Sequence, residues 1–156
     1  AGREITAIVL EGLNRKVYLA EKIFKEENNP NQIASFEYQW TEEAHYQKFE
    51  DPYLADLVKR AFDVLRMSDY GKFDIRMDQS NRYYFIDSNS NPAFGPKELD
   101  CAIANILGLY GIDFTEILKR LLLNTMRDAQ GKERLPFTPS EGGSNNESVV
   151  NEYVAE

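Results

Sequence analysis

The chain has 156 residues, with 18 Lys and Arg against 26 Asp and Glu and a formal charge of −8. That length suffices for one domain with a core, and an acidic balance without any Lys/Arg cluster argues against nucleic acid and against a membrane surface as partners. No apolar run reaches membrane-spanning length, the opening residues do not read as a signal peptide, and Cys101, the single cysteine, cannot form an internal disulfide, so a reducing, cytoplasmic setting is expected.

The first residues already read as the inside of a domain. Glu4 to Glu11 is rich in β-branched and aliphatic residues and predicts a strand. Gly12-Leu13-Asn14 is turn chemistry, so Arg15 to Phe24 is expected to pair back as a second strand. Lys25 to Gln32, with Asn28-Asn29-Pro30-Asn31, reads as a loop, and Ile33 to Trp40 as a short strand. Thr41 to Glu50 carries His45, Tyr46 and Phe49 in a polar setting and reads as loop. His45, the only histidine, has no partner pattern beside it and reads as a surface or half-buried structural residue. Asp51-Pro52 then opens a helix, with aspartate as N-cap and proline at the first helical position. Leu54, Leu57, Val58, Ala61, Val64 and Leu65 follow at helical spacing and predict one core-facing stripe.

Tyr70 to Gly95 is the most informative stretch. From Tyr70 to Asp78, Phe73, Ile75 and Met77 take one side and Lys72, Asp74, Arg76 and Asp78 the other, the period of a half-buried strand. Gln79-Ser80-Asn81 is a turn, and Arg82 to Asn89 is an aromatic-rich second strand. The short connection makes the two an antiparallel hairpin. If Asp78 pairs with Tyr83, Asp74 faces Asp87 and Lys72 faces Asn89. Two carboxylates directly opposed on neighbouring strands repel, and a divalent cation between them removes the repulsion. Carboxylate, carboxylate and amide oxygen form a hard donor set suited to Mg²⁺, with Mn²⁺ as a substitute. A slip of one residue brings Ile86 opposite Asp74 instead and leaves a solvated polar face, so the metal reading depends on register.

Ser88 to Pro96 reads as a loop. Lys97 to Tyr110 reads as a helix with Leu99, Ala102, Ile103, Ile106 and Leu107 inward and Cys101 as a small buried residue. Asp113 caps a last helix, with Glu116 three residues on, and Ile117, Leu118, Leu121, Leu122 and Met126 are expected inward. Residues 131–156, rich in Pro, Gly, Ser, Asn and Glu, are expected to form a disordered polar tail after a domain of residues 1–130.

The pattern Gly71-Lys72-Phe73-Asp74, with Asp87-Ser88-Asn89 thirteen residues after Asp74 and then Asn91-Pro92, resembles the metal-binding hairpin of the ATP-grasp superfamily, most closely the D-alanine–D-alanine ligase type. Gly2-Arg3-Glu4-Ile5-Thr6 is similar to the strand that follows the adenine hinge in that family. The resemblance covers about residues 1–128 and implies an α+β fold, an antiparallel sheet with packed helices. It also implies that an N-terminal lobe of the same protein lies upstream of Ala1.

The implied activity is that of an ATP-dependent carboxylate–amine ligase acting through an acylphosphate on a small-molecule carboxylate and amine. In that scheme Asp74, Asp87 and Asn89 hold Mg²⁺, Glu4 bonds the ribose hydroxyls and Ile86 lines the adenine side. Lys72 and the backbone N–H of Ala93 face the oxyanion. The chain departs from the family pattern at five places: Lys72 for arginine, Asp87 for glutamate, Ala93 for glycine, Glu98 for serine, and Gln39 where a loop lysine touches phosphate. Lys48 is the other candidate for that charge. Lys72 keeps charge without the planar two-point grip. Glu98 stands where a serine meets the acceptor's carboxylate, and a carboxylate there repels one. A second reading follows, a degenerate ATP-grasp module that binds nucleotide or a partner without turnover. Either way, residues 1–156 alone are expected to leave one wall of the cleft open.

Overall fold

The computed structural model describes residues 2–11, 15–24 and 44–129. The elements in order are β1 (Arg3–Leu10), β2 (Lys16–Phe24), β3 (Ala44–Lys48), α1 (Pro52–Val64), β4 (Tyr70–Met77), β5 (Tyr83–Asn89), a 3₁₀ turn (Lys97–Leu99), α2 (Ala102–Leu109) and α3 (Phe114–Ala129). The strands form one sheet in the order β3-β2-β1-β4-β5, with every neighbouring pair antiparallel. This is the α+β fold expected from the sequence.

β1 is the middle strand, and its unbroken apolar run follows from burial on both faces. Ile5, Ala7 and Val9 join Phe73, Ile75 and Met77 of β4 under Leu54, Val58 and Phe62 of α1. Ile8 and Leu10, with Tyr18 and Ala20 of β2, pack on the other face against Ile103, Ile106 and Leu107 of α2 and Ile117 of α3. Two small cores therefore sandwich the sheet.

α1 begins as expected: the Asp51 carboxylate accepts from the backbone N–H of Tyr53 at 2.8 Å and Leu54 at 3.1 Å. Its apolar face is corrected. Phe62, which the sequence stripe omitted, is fully buried, whereas Val64 and Leu65 are 80% and 52% exposed. Residues 54, 58 and 62 lie four apart along one line of the helix. Val64 is off that line, and by Leu65 the chain has left the helix for Arg66 at φ 53.

Three further expectations are revised. Part of the stretch read as loop, Thr41 to Glu50, is β3, which pairs with β2. Its five residues are too polar and too few to show a period. The single helix expected over Lys97 to Tyr110 is broken by Asp100 in the left-handed region, φ 46. Leu99 is consequently 61% exposed, and Cys101 is half-buried at the N-cap of α2. In α3, Ile117 is buried, but Leu118, Leu122 and Met126 are 39%, 63% and 59% exposed. The helix meets the body along a narrow line through Ile117, Leu121 and the buried Asn124. The expected strand at 33–40, Gln39 and the tail 131–156 lie outside the described residues.

A buried polar cluster ties the ends of β1 and β4 together. Glu11, 4% exposed, accepts two hydrogen bonds from Arg15 and one from the Asp69 backbone N–H at 2.8 Å. Arg15 also pairs with Asp63 at the end of α1, and Asn124 of α3 donates to Asp69 at 3.2 Å. The start of β4 is thus held by the end of β1 and by α3, with Arg15 joining the cluster to α1.

Candidate functional site

In the hairpin, Asp74 is the cross-strand partner of Asp87, and Lys72 is the partner of Asn89. The route to this register differs from the simple count. Pairing begins with Met77 opposite Tyr83, not Asp78 opposite Tyr83, and Ile75 faces Phe85. Between Ile75 and Asp74 the ladder shifts, so Ile86 is an extra residue with no partner. Such a bulge moves the phase of one strand by one. The two offsets cancel, and the two carboxylates meet. Ile86 itself is 62% exposed.

The alternation of β4 turns Phe73, Ile75 and Met77 into the core beneath α1, so Lys72, Asp74 and Arg76 lie on the opposite face. β1 contributes Glu4 and Thr6 to that face, directly opposite Arg76 and Asp74. Asp74 is the best-supported group. Its Oδ1 accepts from Thr6 Oγ1 at 3.2 Å, and its Oδ2 receives Lys72 Nζ at 2.5 Å. Glu4 pairs with Arg76 at 3.0 Å. Asp87 is exposed, and among the described residues its side chain makes no hydrogen bond or ion pair. Lys72 is set against the two opposed carboxylates, and it is engaged with Asp74.

Asn89 Oδ1 accepts from the backbone N–H of Asn91 at 2.9 Å, which tightens the turn leaving β5. Tyr70 holds the same turn by donating to Asn91 Oδ1 at 3.0 Å. Pro92 is buried and Ala93 exposed. Phe94 follows between Tyr70 and Phe114, with ring centroids 5.5 and 5.1 Å away. Lys72, Asp74, Asp87 and Asn89 therefore form one group on the hairpin, with Glu4 on the adjoining strand and Ala93 on the loop beyond. Lys48, the alternative loop cation, sits over the Tyr110 ring at 5.0 Å.

Three residues of this face were missed from the sequence. Thr6 follows Glu4 at the strand period, a signal that was present. Lys22 is the partner of Glu4 in β2, and Tyr46 is the partner of Lys22 in β3. Only the pairing of β3 brings Tyr46 in. Burial pushes the Tyr46 hydroxyl up to about 12, with a hydrogen bond to Thr6 acting in the other direction. Burial also lowers the Lys22 ammonium below the ordinary lysine value, against the pull of Glu4 and Asp74.

The donor set at the centre is two carboxylates and an amide oxygen, all hard ligands. Among the described residues no group of three or more His, Cys, Asp or Glu side chains converges as a metal site. An ion here would therefore complete its shell with water or ligand oxygens, as Mg²⁺ commonly does. The residues fit such an ion: two opposed carboxylates, one of them exposed and, among the described residues, in no ion pair.

No protein-family model matches the chain. In sequence it is 30% identical over 79 residues to a D-alanine–D-alanine ligase from Burkholderia multivorans, covering 51% of the chain and 24% of that protein. In fold it superposes on D-alanine–D-alanine ligase from Bacillus anthracis complexed with ATP, with a TM-score of 0.61 at 14% identity over 85% of the chain and 42% of that protein. The chain carries the fold of the D-alanine–D-alanine ligases. D-alanyl-alanine synthetase A from Vibrio cholerae is a further match, with a TM-score of 0.57 at 19% identity over 81% of the chain and 39% of that protein. The chain therefore spans under half the length of these ligases. The match agrees with the ATP-grasp resemblance of the hairpin and of the Glu4 strand.

Proposed function

We propose that this chain is part of an ATP-dependent carboxylate–amine ligase, in which Asp74, Asp87 and Asn89 hold Mg²⁺ against the nucleotide phosphates. The observation that carries the reading is the Asp74–Asp87 cross-strand pair, made by a bulge at Ile86. A structural hairpin gains nothing from opposed like charges. A metal site requires them.

Glu4 accepts hydrogen bonds from the ribose hydroxyls, and Ile86, apolar and exposed beside Asp87, lines the adenine side. Mg²⁺, or Mn²⁺ in its place, held by these residues would supply charge neutralisation at the phosphates. An oxygen of the substrate carboxylate attacks the γ-phosphorus as the bond to ADP breaks, giving an acylphosphate. The amine then attacks the carbonyl carbon, the carbon–oxygen bond to phosphate breaks, and the amine nitrogen loses a proton to give the amide. With Asp74 holding the ion, Lys72 would be free to face the oxyanion of the second step together with the Ala93 N–H. Stabilising such an oxyanion is often the largest catalytic contribution. The exposed carboxylate of Glu98 disfavours an acceptor presenting its own carboxylate there.

The second reading, a module that binds nucleotide without turnover, has a specific support: Asn89 Oδ1 is already committed to the Asn91 N–H. The shorter arm of Asp87 points the same way. The test is ADP release from ATP with Mg²⁺ and a panel of carboxylates and amines. It is run on the 156-residue chain alone and on a longer chain carrying an N-terminal ligase lobe. Substrate-dependent ADP release only with the lobe supports the ligase reading. Nucleotide binding without release in either form supports the binding module, and no binding in either removes both.

A further inference from the structure

Every residue of β1 from Ile5 to Leu10 is buried, and Thr6, 2% exposed, is the one polar side chain among them. A valine would fill the same space without a hydroxyl to satisfy. The hydroxyl has a partner, Asp74 Oδ1 at 3.2 Å, directly across the strand pair. Ala20, Thr6, Asp74 and Asp87 form one row across β2, β1, β4 and β5. Asp74 therefore stands between a hydroxyl donor on one side and a second carboxylate on the other. The donor directions are fixed from the carboxylate outwards. An ionised carboxylate only accepts, so Thr6 gives its single hydroxyl hydrogen to Asp74. The Thr6 oxygen remains an acceptor, and Tyr46 of β3 is hydrogen-bonded to it. Tyr46 thus donates to Thr6, and Thr6 to Asp74. Ala20, the β2 partner of Thr6, carries only a methyl, which leaves room for that reach from β3.

The two bonds to Asp74 differ in how they stand towards a cation. Lys72 Nζ occupies Oδ2 at 2.5 Å, and an ammonium and a metal ion, being like charges, are alternatives there. Thr6 is neutral and bonds the other oxygen, so it does not compete. We infer that Thr6, backed by Tyr46, is the positioning residue of Asp74: it draws Oδ1 towards β1 and leaves Oδ2 for an ion shared with Asp87. A ligand carboxylate tied by an outer hydrogen bond is held in its rotamer before the ion arrives, so less is lost in ordering it. The inference rests on the metal reading of the Asp74–Asp87 pair, and on this chain's own hydrogen bonds for the choice of Thr6.

The test is an electron-paramagnetic-resonance titration of the full 156-residue chain with Mn²⁺ alone, for wild type, Thr6→Val and Thr6→Ser. Circular dichroism melts in EDTA run in parallel. Thr6→Val is expected to weaken Mn²⁺ about tenfold, and Thr6→Ser, which keeps the hydroxyl, to bind Mn²⁺ like the wild type. A bond that only joins β1 to β4 would lower the melting temperature of Thr6→Val and leave its Mn²⁺ affinity unchanged, and that result overturns the inference. Tighter Mn²⁺ binding in Thr6→Val also overturns it, since the lost donor would then have done no more than withdraw charge from the carboxylate. A loss in Thr6→Ser as large as in Thr6→Val assigns the effect to the methyl and overturns it too. If Thr6→Val gives no native melt, Tyr46→Phe takes its place: weaker Mn²⁺ binding is expected, and unchanged binding overturns the inference. Each of these results leaves the metal reading standing, whereas a wild-type chain that binds no Mn²⁺ overturns that reading and this inference with it.

Discussion

Replacing Asp87 by asparagine separates the metal reading from a structural one, because the two readings give opposite signs. Two carboxylate charges about 6 Å apart on a sheet surface, at an effective dielectric of about 60, repel by about 1 kcal/mol. Lys72, at 2.5 Å from Asp74, cancels much of the field that Asp87 feels. Asp87→Asn is therefore expected to leave stability unchanged or raise it by up to about 0.5 kcal/mol in metal-free buffer. In a domain of this size that is a shift of about 2 °C in Tm. The same substitution removes half the charge of the donor pair and is expected to weaken Mn²⁺ at least about tenfold. Urea unfolding in EDTA and an electron-paramagnetic-resonance titration with Mn²⁺ give the two numbers. A metal-free loss of more than about 1 kcal/mol makes Asp87 a structural acceptor. Unaltered Mn²⁺ binding would mean the pair holds no ion.

Two other outcomes follow from the same geometry. Glu11→Ala leaves Arg15 with Asp63 alone and strips the acceptor from the Asp69 N–H, so a loss of about 3 kcal/mol in urea unfolding is expected; a loss under about 1 kcal/mol would show that water replaces Glu11. Asp78 is held down to about 2 by the Arg82 backbone N–H first, and then by the Arg82 guanidinium, the Ser80 N–H and the Tyr84 hydroxyl. Its folded value is depressed, so its stabilisation is present above the ordinary carboxylate range and lost as the pH falls towards 2. The gap in Tm between wild type and Asp78→Asn should close between pH 5 and about 2, and a gap independent of pH refutes the assignment.

The hairpin was readable in the sequence because β4 is buried on one face only, so Phe73, Ile75 and Met77 mark the core at period two. β1 and β2 were readable for a related reason: their apolar runs flank Gly12-Leu13-Asn14, a sequence of turn chemistry. β5 carried no such mark. Tyr83, Tyr84, Phe85 and Ile86 are all aromatic or apolar, so the residue that leaves the ladder has no distinguishing chemistry, and the bulge was invisible. The pairing of Asp74 with Asp87 was reached by counting from an Asp78–Tyr83 pair that does not form, and the bulge restores the count. Tyr46 went unnoticed because its relevance comes from β3 joining β2, a contact that no local period encodes. The helix errors have separate causes: Leu65 lies past the end of α1, Asp100 breaks the run before α2, and Leu118 and Leu122 show that α3 docks along a line narrower than its apolar stripe.

The bulge at Ile86 gives the hairpin a parity. Between the turn and the site, β5 runs one residue longer than its partner. Were the same residues paired without the bulge, Ile86 would stand opposite Asp74, and Asp87 and Asn89 would stand opposite Phe73 and Gly71 on the α1 side. With the bulge kept, two residues added to β5 before Asp87 restore the side-chain phase, and one inverts it. Homologous hairpins that differ in length by an odd number here must gain or lose a bulge to keep their carboxylates together. The count of residues between the two aspartates is thus itself a chemical specification.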